Sequence, residues 1–138
     1  MIMTAKDQWL RASLVAIVVI HFVIVLWHGA AHAEIPVQLS SAQTAFVIVV
    51  ITLLPVIGGG LLWSSRMVAG AWLITLSMLA ALVFGVVNHF MLESSDYVVE
   101  VPVNAWRHSF VLSAALVAVT ESIGTALGAV AIRMWRSA

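Results

Sequence analysis

Three histidines, His21, His28 and His32, stand in one apolar run near the start of the chain, separated by seven and four residues. On a helix those separations place all three on one face. Lipid offers an imidazole no hydrogen-bond partner, so polar residues of a spanning helix turn to the bundle interior and mark a site there. His28 and His32, four apart, have the spacing that lets two imidazoles of one helix face reach a single ion. His89 and Glu93 repeat that spacing with a carboxylate in place of one imidazole. There is no cysteine, which excludes disulfides, thiolate ligands, iron–sulfur clusters and thiol chemistry. Imidazoles with a carboxylate suit zinc, copper or non-haem iron.

The elements that must carry these residues are membrane helices. Of the 138 residues 63% are hydrophobic and only 9% charged, and the mean hydropathy is +1.12, far too apolar for a soluble domain. We expect one transmembrane domain over residues 1–138. Formal net charge is zero and the basic residues are not clustered, which argues against a nucleic-acid partner. A helix crosses the hydrocarbon with about 20 apolar residues, and four stretches qualify: Ala12 to Ala33, Ala42 to Trp63, Met67 to Met91, and Trp106 to Trp135. The first also imitates a secretory leader, with Lys6 and Arg11 ahead of it and Ala31-His32-Ala33 resembling a cleavage site. We read it as a span.

With four spans, Lys6, Arg11, Arg66, Arg133 and Arg136 share one side and Arg107 alone lies on the other. The positive-inside rule then puts both termini in the cytoplasm. The expected fold is all-α: an integral membrane four-helix bundle, antiparallel and up-down-up-down, in the inner (plasma) membrane of a bacterium. Glu34, Asp96 and Glu100 decorate the outer, periplasmic side, and six tryptophans (Trp9, Trp27, Trp63, Trp72, Trp106, Trp135) fall near the expected interfaces. Ser40 with Gln43 three residues later has the pattern of a capping box for the second helix, Ser64 and Ser65 can cap the third, and Pro55 with Gly58-Gly59-Gly60 should kink or loosen the second.

Depth then gathers the polar residues. At about 1.5 Å per residue, His32 lies near the outer end of the first span, His28 about a turn deeper and His21 near the middle. The third helix ends outward with His89 and Glu93, and the fourth starts there with His108. The expected metal site is therefore His28, His32, His89, His108 and Glu93, with Glu34 or Asp96 as further candidates. Glu121, thirteen residues into the fourth helix from His108, is expected near the depth of His21. An ionised carboxylate there costs roughly 2.5 to 3.5 kcal/mol on insertion scales, which pairing with His21, protonation, or bonds to Thr75, Ser77, Thr120 or Thr125 would relieve. His21 and Glu121 are thus an intramembrane polar pair or a proton relay. Gly124 and Gly128 form a small-xxx-small pair for close helix packing, within the chain or in a homo-oligomer.

Three functional readings follow. The first is a membrane protein whose outer His/Glu cluster binds a transition metal for electron transfer or metal handling. The second is a haem b-binding or quinone-interacting membrane subunit, with His28 or His32 facing His89 or His108 across a porphyrin. The third is a cofactor-free accessory subunit whose partners are other membrane proteins and the lipid bilayer. A proton- or ion-coupled transporter using Glu121 and His21 has less behind it, lacking a second ionisable helix pair, and no nucleophile–base pair or phosphate loop points to a particular reaction.

Overall fold

The computed structural model describes residues 4–35 and 37–136, and within them it is helical, with no strand. Helix α1 is Ala5–Glu34, α2 is Ser41–Leu61, α3 is Met67–Met91 and α4 is Arg107–Arg136. All four are long and apolar enough to cross a membrane. The first helix starts seven residues before the expected span, because Thr4 and Asp7 close a capping box that satisfies amides at its N-terminus. Ser40 and Gln43 do the same for α2. The third helix departs from expectation: its cap is Arg66, with no side-chain bond, and Ser64 Oγ instead accepts from the Arg66 amide.

The irregularity expected at Pro55 lies just ahead of it. Val47–Leu53 is π-helical, and regular α-helix resumes at Leu54 and runs through the glycines to Leu61. Proline has no N–H to give to the carbonyl four residues back, here Ile51. His21 Nε2 takes that carbonyl instead, at 3.2 Å. A second π segment, Val87–Met91, ends α3. Such segments re-aim side chains and are frequent at functional sites, and both of these border the candidate site.

The core at one end joins Leu10, Leu14 and Val18 of α1 to Met67, Ala71 and Ile74 of α3 and to Ala131 and Trp135 of α4. Trp135 departs from the expected interfacial belt: it is buried and its indole N–H donates to Asp7 Oδ1 at 3.1 Å. Trp9 and Trp63 are exposed, and Arg11 sits over the Trp63 ring. Contacts pair Asp7 with Trp135, His21 with Thr120, and His28 with Ser113, so numbers rise along α1 as they fall along α4. Gly124 and Gly128 are buried against α3, where an added Cβ would collide with Met78 and Thr75, so this pair packs within the chain. The outward surface is rich in Val, Ile and Leu, the inverse of a soluble protein and suited to lipid.

Candidate metal centre

At the other end, His28 and His32 project from adjacent turns of α1 and His89 from the π segment of α3. The segment joining α3 to α4 folds over them, with Val101 buried against Ala31, Ile35 and Phe110. The Phe110 ring meets all three imidazoles, with centroids 5.0 Å from His28, 4.9 Å from His32 and 5.5 Å from His89. One ring nitrogen from each histidine falls in a group whose members all lie within 4.8 Å of one another.

The hydrogen-bond partners bear on the tautomers. Ser113 Oγ lies 2.9 Å from His28 Nδ1 and 3.1 Å from Phe110 O, so with its hydroxyl given to Phe110 O it can accept from His28 Nδ1–H. His89 Nδ1 faces the backbone carbonyl of Asp96 at 3.1 Å, an acceptor only, so it too carries the proton. In the tautomer with both Nδ1 atoms protonated, the two Nε2 atoms, which stand 3.3 Å apart, both present lone pairs. Two ligands of a tetrahedral zinc, with bonds of about 2.0–2.1 Å, stand about 3.3 Å apart. His32 completes the set. Asp96 Oδ1 lies 3.3 Å from its Nε2 and 3.4 Å from His89 Nδ1, close but not aligned as hydrogen bonds, since that oxygen is buried without a hydrogen-bond partner. The neighbouring carboxylate favours the proton on Nε2, and His32 Nδ1 is buried with no hydrogen-bond partner among the described residues.

No protein-family model, curated protein or solved structure matches this chain. The functional reading therefore rests on the geometry.

The other expected ligands lie apart. His108 is exposed and borders a surface hollow with Val98, Asn104 and Arg107. It precedes the buried Phe110 by two residues, about 200° round the helix, and so points away from the triad. Glu93 is exposed because the backbone turns extended at Leu92, so its spacing of four from His89 no longer describes one helix face. Glu34 is also exposed. Asp96, only an outside candidate from sequence, is buried beside two imidazoles.

Deeper in, His21 is buried and uses its nitrogens on Thr120 Oγ1 at 3.1 Å and Ile51 O, not on Glu121. Glu121 is fully buried, and neither of its oxygens has a hydrogen-bond partner among the described residues. Thr75, Ser77 and Thr120 donate to carbonyls of their own helices. The Glu121 carboxyl instead lines a cavity of about 230 Å³ whose upper wall includes His28, His32, His89 and Asp96. Gly85 stands between the two ends: a Cβ there would lie 3.9 Å from Glu121 Oε2 and 4.0 Å from His89 Cδ2.

Proposed function

We propose that this chain is a membrane metalloprotein that holds one divalent transition-metal ion, zinc or copper, on His28, His32 and His89. The observation that carries the reading is the meeting of three imidazoles: Nε2 of His28 and of His89 stand 3.3 Å apart, each ring has its Nδ1 against an oxygen, and His32 supplies a third ring nitrogen within 4.8 Å of the others. Two lone-pair nitrogens 3.3 Å apart repel unless a cation or a proton lies between them. Partners on the outer nitrogens, Ser113 for His28 and Asp96 for His32 and His89, are what orient and strengthen imidazole ligands around an ion. With no thiolate in the set, borderline metals are favoured over soft ones.

Three protein ligands leave a coordination position open, the pattern of sites that exchange ligands or activate one. Here that position would face the cavity, so the ion would be reached from within the membrane domain. Haem suits the arrangement less. Axial imidazoles on opposite sides of an iron stand about 4 Å apart, twice a metal–nitrogen bond of about 2 Å, and have no third imidazole beside them. The loop charges support a bundle with both termini cytoplasmic and the triad at the outer end.

Elemental analysis of detergent-purified protein tests the reading. It predicts about one zinc or copper per chain, lost on His28→Ala and on His89→Ala while the variants still purify as folded helical protein. Wild-type protein that takes up neither metal when titrated would refute it.

A further inference from the structure

The triad does not account for Glu121. A carboxyl group fully buried in a membrane domain, with neither oxygen partnered among the described residues, leaves its polar atoms unsatisfied where they cost most, and the cavity they line is where a partner would sit. Apart from its two polar ends the wall is apolar, formed by Val47, Ile51, Ala81, Phe84 and Val117 among others. A cavity of about 150 Å³ with purely apolar walls holds benzene. At about 230 Å³ this one takes a ring with a short substituent.

The packing is loosest on one side. Helix α1 packs on the Leu54–Leu61 half of α2, where Val18 meets Gly59, but hardly along Ser41–Leu53, where the His21–Ile51 bond is the main link. The cavity is bounded at this gap by Val25 and Gly29 of α1 and by Val47 of α2. Gly29 is exposed, with nothing within 4 Å of the place a Cβ would occupy. In a bilayer this gap would face acyl chains, the side from which a molecule dissolved in lipid would enter.

We infer that the cavity binds a small hydroxyl-bearing ring molecule drawn from the bilayer, with the hydroxyl donating to Glu121 and the ring held by the apolar wall. The inference rests on the cavity and Glu121 and stands whether or not an ion occupies the triad.

The test uses ¹⁹F NMR of 4-fluorophenol and fluorobenzene with the purified full chain in detergent, metal-free and after zinc loading, with zinc content measured on the same samples. We expect saturable binding of one 4-fluorophenol per chain in both samples, with fluorobenzene weaker by about tenfold, the worth of one hydrogen bond to a buried acceptor. Glu121→Leu should reduce the two probes to the same weak binding, whereas Glu121→Gln, which keeps an acceptor, should retain most of the difference. Gly85→Leu, which fills the cavity from its wall, should abolish saturable binding of both. Should the leucine variant at 121 not fold, the glutamine variant, the cavity-filling variant and the probe pair still decide. Equal affinity for the two probes in wild type, unchanged binding in Gly85→Leu, or partitioning without saturation would overturn the inference. Failure to take up either zinc or copper alongside saturable phenol binding would refute the metal reading alone.

Discussion

His28 Nε2 and His89 Nε2 face each other at 3.3 Å, and the far nitrogen of each ring is held by an acceptor, Ser113 Oγ for one and the Asp96 carbonyl for the other. Two rings fixed this way are prepared to share an ion. Removing one holding group without touching a ligand should therefore weaken the site and not delete it. Ser113→Ala frees His28 to rotate, and we expect zinc affinity to fall by about 10- to 100-fold. Competition with a chelator of known affinity measures this, and affinity unchanged within twofold would count against the orienting role.

Asp96 carries a second prediction. Its carboxyl group lies beside His32 and His89, where its negative charge would stand next to a bound cation. Asp96→Asn keeps the shape and removes the charge, so zinc affinity should drop by about one to two orders of magnitude with little change in helix content by circular dichroism. Glu93→Gln and His108→Ala, both at exposed positions, should leave affinity within a factor of two in the same assay.

Acid should release the ion. Each ligand must offer a lone pair, so protons compete with the metal. Affinity is expected to be full above the ordinary imidazole range, near pH 6.5, and to fall as pH drops through and below it. A zinc titration series from pH 8 to pH 5 checks the sign. Binding that strengthens toward pH 5 would contradict imidazole ligation.

Much of this arrangement was legible in the sequence, and the misses have physical causes. The four spans follow from apolar length, and His28 with His32 from helical spacing. His89 joined them by depth alone, since the third and fourth helices reach the same end as the first. Depth does not fix azimuth, however. His108 is at the right level but on the wrong side of α4, and the inward stripe of Phe110, Ser113, Ala114 and Val117 shows this only once Phe110 is known to be buried. Glu93 was lost to the break at Leu92, which no proline or glycine announces. Asp96 enters because the connecting segment folds back through contacts of Val101 and Val98 with Ile35 and Phe110, a tertiary effect outside the reach of periodicity. Pro55 did flag an irregularity, but its consequence, an Ile51 carbonyl left for His21, depends on the facing helix.

Packing of α4 on α3 gives a prediction with an internal control. Gly128 abuts Thr75, and a larger side chain must displace it, so Gly128→Leu should destabilise the protein by about 1–3 kcal/mol, the usual penalty for overpacking. Gly29→Leu, with open space at the same step, should change stability far less. Thermal unfolding in detergent compares the two.

Orientation is open to direct labelling. With both termini cytoplasmic, a cysteine introduced at Ser95, which is exposed in the segment between α3 and α4, should react with an impermeant maleimide added outside intact cells. Reaction only after the cells are opened would invert the topology and carry the triad to the cytoplasmic side.

X-ray absorption at the zinc edge of zinc-loaded protein reads the ligand set itself. Three imidazole nitrogens are expected at about 2.0–2.1 Å, with the multiple-scattering signature of the rings, falling to two in His32→Ala. A spectrum fitted by oxygen ligands with one imidazole or none, or one unchanged in His32→Ala, would contradict the three-histidine site.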